Sequence, residues 1–400
     1  MKVLIADKFP ERYVKAIRDL GHDVVYEPGY KAADIAAKIG DAEIVVVRST
    51  EVTAEAIKAS TNLSLIIRAG AGTNNIDKKA ASGAGIYVSN CPGTNSVAVA
   101  ELAMGLICAL DRRIVENATD LRAGRWNKAE YSKADGLLGK TLGVIGVGMI
   151  GKEVIARAQA FGLKVKAWSR SLTPEKAEAL GVEYASTIAE LVPSCDILSV
   201  HLAQTAETKG IISRDVIAAM KPGAMFINTA RAGVVDQAAL VEAVKAKKIR
   251  VGTDVFAGEP EGKDGAFADE LGLLPGVYGT HHIGASTDQA QDAVATETVR
   301  IIKVYGETGR VENWVNKMKK TPARYQLVVR HYDKPGVLAD VLAIIRETNV
   351  NAQEIGNLIF DGAQAACCAI QLDSELSADC LAKINALSGR VIHAAQVAIP

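Results

Sequence analysis

Several features that define other protein classes are missing from this sequence. Its 400 residues include only six cysteines, and their spacing fits neither a disulfide framework nor a metal site. No apolar run is long enough to cross a bilayer, and the opening MKVLIADKF is typical of a strand rather than of a secretory signal. Basic and acidic residues balance at 46 each, which leaves no basic field for nucleic acid or a membrane surface. We expect a cytoplasmic protein without a metal that acts on small molecules.

The chain does contain short apolar runs that alternate with helical patterns. This alternation predicts parallel sheets covered by helices. The first four predicted strands are 2–6, 23–26, 43–47 and 64–67. From residue 323 the order changes to strand, helix, strand, strand, helix, strand, which is typical of a ferredoxin-like module. The predicted fold class is α/β, with two Rossmann-like doubly wound parallel-sheet domains and a C-terminal βαββαβ domain.

Residues 139–170 carry the most informative motif. The apolar run Thr141–Ile145 leads into Gly146-Val147-Gly148-Met149-Ile150-Gly151, a G-x-G-x-x-G, and a helical pattern and a second apolar run follow. Between a strand and a helix, such glycines permit the tight turn, the close approach of a pyrophosphate and close helix packing. The helix start then offers free N–H groups to the phosphates. The motif predicts a dinucleotide cofactor.

The end of the second apolar run bears on the identity of that cofactor. An NAD-preferring site normally has an acidic residue there to bind the ribose 2′-hydroxyl, but this run ends Trp168-Ser169-Arg170. A hydroxyl and a guanidinium suit a 2′-phosphate, and no carboxylate is present to repel one. The alternative is that Arg170 is a solvated loop residue. Both NAD and NADP remain candidate cofactors, and Ser169 and Arg170 favour acceptance of NADP.

Chemically active side chains follow several predicted strands. Arg231, Glu259 and His282 each come after an apolar run of the second sheet, and the carboxyl ends of parallel strands share one edge. A cation, a carboxylate and an imidazole at that edge form a plausible acid–base set. Arg48 and Arg68 follow strands of the first sheet. Each of these two is either an anion contact or a solvated arginine.

Five motifs carry a resemblance to a known family. They are RAGAGTNNID (68–77), GVIGVGMIG (143–151), NTARAGVVD (228–236), DVFAGEP (254–260) and HHIGAST (281–287). Through them the chain resembles the D-isomer-specific 2-hydroxyacid dehydrogenases over essentially its whole length. Its C-terminal module resembles an ACT domain through the DKPGVL turn at 333–338.

The resemblance implies a role for each site residue. Arg231 would hold the substrate carboxylate and carbonyl oxygen, His282 would be the acid–base, and Glu259 would pair with His282. His281 stands where the family usually has proline. The implied substrate contacts are Arg48, Ser49, Arg68, Ala71, Gly72 and Asn95. The implied cofactor contacts are Gly146, Gly148, Met149, Ile150, Gly151, Ser169, Arg170, His201, Thr229, Ala230, Asp254 and Gly284.

The domain plan comes from the order of these segments and from the resemblance. A discontinuous substrate-binding domain would comprise 1–98 and 285–315, followed by a dinucleotide-binding domain at 99–284, a linker at 316–322 and an ACT domain at 323–400. Ser96 is predicted to cap an apolar helix between the first two domains. The resemblance implies a homodimer or homotetramer. It also implies an amino-acid effector at His331, Asp333 and Asn351, where Asp333 replaces the asparagine of serine-sensing relatives.

The function that follows is a hydride transfer to or from a 2-hydroxy acid or 2-oxo acid. The leading expectation is oxidation of D-3-phosphoglycerate to 3-phosphohydroxypyruvate in serine biosynthesis, which the ACT-like tail favours. The alternative enzyme is a glyoxylate or hydroxypyruvate reductase, which Ser169 and Arg170 favour because NADPH suits reduction. A third alternative, from another class, is a dinucleotide-sensing binding protein like the co-repressors that share this fold.

Overall fold

The computed structural model describes residues 1–260 and 265–399, and the chain divides into two compact units, Met1–Asn316 and the segment from Lys317 onward. The unit Met1–Asn316 begins with β1 (Lys2–Ile5), α1 (Glu11–Asp19), β2 (Asp23–Tyr26), α2 (Ala32–Lys38), β3 (Ile44–Val47), α3 (Ala54–Ala59), β4 (Leu65–Arg68), α4 (Lys78–Gly83) and β5 (Tyr87–Asn90). Three helices follow: α5 (Ser96–Arg112), α6 (Ile114–Arg122) and α7 (Lys128–Tyr131).

A second run of strands and helices completes this unit. It consists of β6 (Thr141–Ile145), α8 (Met149–Ala160), β7 (Lys164–Trp168), α9 (Pro174–Ala179), β8 (Glu183–Tyr184), α10 (Ile188–Leu191), β9 (Ile197–Val200), α11 (Arg214–Ala218), β10 (Ala224–Asn228), α12 (Gln237–Lys245), β11 (Ile249–Thr253), β12 (Val277–Gly279) and α13 (Asp288–Thr308). Short 3-10 turns lie at Val192–Ser194, Ala232–Val234 and Leu271–Leu273.

The first sheet is parallel, with the order β2-β1-β3-β4-β5. Its central strands are almost continuously apolar because helices cover both faces, and all four residues of β3 are buried. Ile301 and Ile302 of α13 pack with Ile17 of α1 against one face, so the chain returns to this sheet after completing the second one. The strand order reverses between β1 and β3, which places a ligand crevice at their carboxyl ends.

The second sheet is also parallel, with the order β12-β11-β10-β9-β6-β7-β8. This is the doubly wound dinucleotide-binding arrangement, in which the order reverses between the first and fourth strands. Here those strands are β6 and β9, so the turn after β6 and the segment after β9 form the crevice. Apolar cores cover both faces, one centred on α5 and α8 and the other on α11 and α12.

The helix α5 corrects one prediction of the sequence. Its N-cap is Asn95, whose side chain makes no capping hydrogen bond, and Ser96 is the first helical residue. The Ser96 hydroxyl is buried without a partner, so Ser96 does not cap the helix. The helix itself is buried along most of its length, as its apolar composition predicts. The structure also contains a strand that the sequence analysis did not predict. This is β5, the fifth strand of the first sheet.

The second unit is a four-stranded antiparallel sheet with two helices. Its elements are β13 (Tyr325–Tyr332), α14 (Val337–Arg346), β14 (Ala352–Ile359), β15 (Ala365–Leu372), α15 (Ala378–Asn385) and β16 (Val391–Ala398). The order β14-β15-β13-β16 and the βαββαβ succession agree with the predicted ferredoxin-like module. Val341 and Ile384 of the two helices pack with Val329 of the sheet in one core. Within the described residues, no helix is both long enough and apolar enough to cross a membrane.

Candidate active site

The glycine turn after β6 has the shape that a pyrophosphate site requires. Gly146 has a φ of +98°, and a Cβ there would lie 2.5 Å from the carbonyl oxygen of His201. A Cβ on Gly151 would lie 2.0 Å from the carbonyl oxygen of Gly146. Gly148 caps α8, and a Cβ there would meet no atom within 4 Å. Packing therefore requires the first and third glycines, while the second keeps open space before the helix N-terminus.

Several buried polar atoms in the segments around this turn have no hydrogen-bond partner. The buried atoms without a hydrogen-bond partner include Asn95 Oδ1, Ser96 Oγ, His201 Nδ1 and Thr229 Oγ1. Burial lowers the pKa of His201 to about 4, so its ring is neutral, and Nε2 lies 2.8 Å from Ser199 Oγ. Buried polar groups normally have partners. The open cradle and these free atoms fit a bound dinucleotide, which Gly148, Met149 and Ile150 would hold by its phosphates.

Two alanine substitutions in the turn are expected to have different effects. Gly148→Ala should fold with an unchanged melting temperature, because its Cβ meets open space, and should weaken NADH binding about tenfold by filling the pyrophosphate cradle. Gly151→Ala should lower the melting temperature by several degrees, because its Cβ would overlap backbone. Thermal unfolding and NADH fluorescence titration measure both. Equal loss of stability in the two variants would contradict this assignment.

Beyond the glycine turn, the predicted specificity residues stand at the end of β7. Gly146 N–H donates to the Trp168 carbonyl at 2.8 Å, which keeps the strand end next to the turn. The Ser169 carbonyl accepts from Leu172 N–H at 3.0 Å, and its hydroxyl has no partner in the described part of the chain. Arg170 is exposed and makes no hydrogen bond or ion pair with any described residue. Both side chains are thus available to a ligand.

The predicted histidine and glutamate form a pair. His282 Nδ1 lies 2.8 Å from Glu259 Oε2, and Glu259 Oε1 accepts the Phe256 N–H at 2.9 Å. Burial alone would raise the pKa of Glu259. The hydrogen bonds from His282 and from the Phe256 N–H lower it, and so do the charges of His282 and Arg231. The net result is a pKa below the usual value. Glu259 is therefore a carboxylate that orients the ring through Nδ1, and Nε2 has no hydrogen-bond partner among the described residues. His281 is exposed and makes no contact of this kind within the described ranges.

Asp254 holds the backbone that carries this histidine. His282 has a φ of +53°, a conformation that a non-glycine residue rarely adopts. The buried Asp254 carboxylate accepts the N–H groups of Ile283 and Gly284, both at 2.8 Å, and the Thr280 hydroxyl at 2.6 Å. These bonds fix the loop on both sides of His282. Both oxygens of Asp254 are engaged in this way, and the implied contacts of Asp254 and Gly284 with the cofactor remain predictions.

Sequence reasoning missed two residues that hold the glutamate loop. The buried Asp269 carboxylate accepts the Gly258 N–H at 2.9 Å and the Gln237 side-chain amide at 2.9 Å. The carbonyl oxygen of the Gln237 side chain accepts the Ala257 N–H at 2.9 Å. The backbone immediately before Glu259 is therefore held from two sides. No motif in the sequence marks either residue, because each acts through a main-chain group that is distant along the chain.

Three arginines converge opposite this pair. A Cβ on Gly72 would lie 2.8 Å from the Arg231 guanidinium, and one on Gly70 would lie 1.7 Å from that of Arg68, so both glycines are needed for space. Burial, and then the charges of Arg231 and Arg48, lower the pKa of Arg68 to about 10, which leaves it charged at neutral pH. Among the described residues none of the three arginines has a carboxylate partner within 4.0 Å. Such a cluster is stabilised by an anion.

The other predicted contacts lie around this cluster. The Ser49 N–H donates to Asp7, the Ala71 carbonyl accepts the Asn90 side chain, and the Ala230 N–H donates to Asn228 Oδ1 at 3.0 Å. These groups shape the loops that carry the arginines and Thr229. Arg231, Glu259 and His282 themselves line one open pocket of about 390 Å³. The structure thus brings together the three side chains predicted to act on the substrate.

The three predicted effector residues are not brought together within one chain. His331 is buried, with Nε2 at 3.1 Å from Asn357 Oδ1 and Nδ1 at 2.8 Å from the Tyr332 carbonyl. Through β15, Asn351 lies next to the Tyr325 end of β13, roughly 20 Å from His331 at the usual strand rise. Asp333 is exposed just beyond His331. Within one chain the three residues are thus apart, and an amino-acid effector at these positions remains a prediction.

The arrangement defines a class of protein. The second sheet has the doubly wound dinucleotide-binding order, and a pocket at its edge is lined by an arginine, a carboxylate and a histidine. The smaller first sheet carries two further arginines. Hydride transfer between a dinucleotide and an anionic alcohol or ketone requires this combination, since it needs a cofactor site, a proton carrier and an anion site. The chain has the architecture of a dinucleotide-dependent dehydrogenase.

Comparison with known proteins assigns the family. A family model described as D-isomer specific 2-hydroxyacid dehydrogenase, NAD binding domain, matches residues 104–284. The D-3-phosphoglycerate dehydrogenase of Methanocaldococcus jannaschii is 38% identical over 367 residues, which are 91% of this chain and 68% of the relative. The hydroxypyruvate reductase of Thermotoga maritima is 44% identical over 274 residues, 68% of this chain and 86% of the relative. The chain belongs to the D-isomer specific 2-hydroxyacid dehydrogenase family.

A solved structure agrees with this assignment. The NAD⁺-bound 3-phosphoglycerate dehydrogenase of Entamoeba histolytica superposes with a TM-score of 0.66 at 31% identity, covering 80% of this chain and 99% of that one. This chain spans 56% to 68% of the length of the curated phosphoglycerate dehydrogenases that it matches. The matched domain is an NAD-binding domain, which confirms the dinucleotide that the glycine turn predicts.

Proposed function

We propose that the protein oxidises D-3-phosphoglycerate to 3-phosphohydroxypyruvate, as the names of its relatives in Methanocaldococcus jannaschii and Entamoeba histolytica describe. The observation that carries the proposal is the convergence of Arg48, Arg68 and Arg231, which have no acidic partner within the described residues. A carboxylate carries one negative charge and a phosphate monoester about −1.5 to −2. Three cations without an ion-pair partner match a substrate with both groups better than they match glyoxylate, which has only a carboxylate.

The residues divide the chemistry between them. Arg231 presents its guanidinium to the substrate carboxylate, for which its planar fork is suited. His282 accepts the hydroxyl proton at Nε2 as the C2–O bond becomes a carbonyl, and Glu259 holds the ring through Nδ1 and stabilises the imidazolium. A dinucleotide held at Gly148, Met149 and Ile150 would supply the acceptor for the hydride that leaves C2. In the reverse direction His282 returns the proton to the alkoxide.

We further propose that NADP is accepted beside NAD. Support comes from the exposed Arg170, from Ser169 and from the absence of a carboxylate at the end of β7. Arg170→Ala should lower kcat/KM with NADPH about tenfold by removing a charge-assisted contact to the 2′-phosphate. It should leave kcat/KM with NADH within about twofold. Parallel steady-state assays with both cofactors test this, and an equal change with both would contradict it.

Other elements of the plan also remain proposals. They are the division into a substrate-binding domain at 1–98 and 285–315 and a dinucleotide domain at 99–284, a homodimeric or homotetrameric assembly, a cytoplasmic location, and an ACT function for residues 323–400. The antiparallel sheet of the second unit and its βαββαβ order support the ACT proposal. Addition of serine during a thermal unfolding scan tests whether an amino acid binds there.

A substrate panel decides between the proposed functions. Purified protein is assayed with phosphoglycerate, phosphohydroxypyruvate, hydroxypyruvate and glyoxylate, each with NAD(H) and NADP(H). We expect the highest kcat/KM for the phosphorylated pair. Brisk reduction of glyoxylate without turnover of the phosphorylated acids would assign the reductase instead. Tight cofactor binding with no turnover of any acid would favour the dinucleotide-sensing binding protein.

A further inference from the structure

An acidic residue lies at the topological switch point of the first sheet. In the order β2-β1-β3-β4-β5 the direction of winding reverses between β1 and β3, and ligands bind outside the strand ends at such a point. Asp7 follows the end of β1 by two residues, and Arg48 follows β3 directly. A carboxylate and a candidate anion-binding arginine thus meet at the same point of the fold.

Asp7 binds the entire loop that carries Arg48. Its Oδ2 accepts three consecutive backbone N–H groups, from Arg48 at 2.7 Å, Ser49 at 3.0 Å and Thr50 at 2.9 Å. Its Oδ1 lies 3.1 Å from the Thr50 hydroxyl. Asp7 is 7% exposed, so water does not compete for these bonds. A buried carboxylate with three N–H donors holds a loop in one conformation.

The loop in turn fixes two arginines. The Arg48 carbonyl accepts the Arg68 Nε–H at 3.1 Å, which fixes the direction of the Arg68 guanidinium across Gly70. The Arg48 side chain donates to Gln291 Oε1 at 3.3 Å, on the helix that follows the His282 loop. The Arg68 guanidinium lies against Gly70 and the Arg231 guanidinium lies against Gly72, two residues further along the same loop. The bonds to Asp7 therefore fix the backbone from which the Arg48 side chain extends and the carbonyl that holds Arg68.

We propose that Asp7 is a positioning residue for substrate binding: through the backbone of residues 48–50 it holds Arg48 and Arg68 in place for the anionic groups of the substrate. Asp7 does not itself contact the substrate, because its oxygens are filled by the loop. The role of Asp7 is inferred from the arginines of the proposed active site. That the bound anion is a phosphorylated acid rests on the proposed function.

The hydrogen-bonding pattern supplies a conservative variant. In Asp7→Asn the amide oxygen can accept the three N–H groups that Oδ2 accepts. The amide NH₂ then faces the Thr50 hydroxyl, which can accept because it also lies 3.2 Å from the Tyr30 carbonyl, where it can donate. Asparagine therefore preserves every bond, whereas Asp7→Ala removes the acceptor of all three N–H groups. Asp19, which pairs with Lys15 on the surface of α1, provides the control Asp19→Ala.

The test compares KM with kcat in these variants. Asp7→Ala is expected to raise KM for phosphohydroxypyruvate about tenfold, with kcat within about threefold and KM for NADH unchanged. Asp7→Asn should restore KM to within about threefold of the parent, and Asp19→Ala should match the parent. An unchanged KM in Asp7→Ala, or an asparagine variant as poor as the alanine variant, would overturn the proposal. A parallel decline of melting temperature, kcat and both KM values would show a purely structural role and would also overturn it.

Two additions keep the outcome separate from the proposed function. Should Asp7→Ala not fold, Thr50→Val removes only the hydroxyl contact, and we expect it to raise the same KM about threefold; no rise overturns the proposal. Each protein is also assayed with glyoxylate. If the parent reduces only glyoxylate, the phosphorylated substrate is ruled out. The role of Asp7 is then decided by comparing the KM for glyoxylate among the parent, Asp7→Ala and Asp7→Asn.

Discussion

His282→Ala is expected to lower kcat about 10³-fold, which is within the range that a positioned acid–base contributes. The reason is the geometry of the pair. Glu259 binds Nδ1 at 2.8 Å, which leaves Nε2 as the proton carrier for the substrate oxygen. Removing the ring leaves only water for that task. Steady-state kinetics in both directions measure the change, and binding of NADH should be unaltered because the glycine turn does not involve this loop.

His281 is the matched control for this experiment. It precedes His282 and is equally exposed, but it has no hydrogen-bond or ion-pair partner among the residues that the structure describes. His281→Ala should therefore retain kcat within about twofold. A large loss in His281→Ala, or full activity in His282→Ala, would show that the other histidine carries the proton.

Arg231→Leu is expected to lower kcat/KM about 10²- to 10³-fold, because it removes one partner of a charge-assisted contact in a pocket. Lysine should not rescue the loss, since it cannot form two parallel bonds to a carboxylate. The melting temperature should change little. The Arg231 charge disfavours the charged form of Arg68 and favours that of Glu259, so the two effects of its removal oppose each other.

Arg214 supplies the control for this change. It forms an exposed ion pair with Glu242 and does not line the pocket, and exposed pairs of this kind contribute little to stability. Arg214→Ala should leave kcat/KM within about twofold of the parent. A melting temperature that drops sharply in Arg231→Leu would instead assign that arginine a structural role.

Local patterns predicted much of the fold. The short apolar runs and helical spacings indicated parallel sheets, and G-x-G-x-x-G between strand and helix located the dinucleotide site. The observed boundary of an element differs from the predicted one where the element overlaps a motif. The helix α8 begins at Met149, inside the glycine motif, because Gly148 is its N-cap. The strand β5 was missed because its four residues include Ser89 and Asn90, so that its apolar pattern is too short.

The active-site trio could be predicted because each member follows a strand, and parallel strands end at a common edge. Its supporting residues could not. Asp254, Asp269 and Asp7 act on main-chain N–H groups that any residue can supply, so no side-chain pattern marks the partner. Gln291 meets Arg48 across 243 positions of sequence. Such pairs exist only after the sheets are assembled in their particular strand order.

The sequence by itself determined the dinucleotide turn, the alternation that builds the sheets and the candidates Arg231, Glu259 and His282, because these depend on periodicity and on residue type. Only the tertiary structure decided which histidine pairs with Glu259, that three arginines cluster without an ion-pair partner, and that Asn351 lies away from His331. Those facts depend on distances between segments that are remote in the chain. Strand order and register set these distances, and neither is encoded in a local pattern.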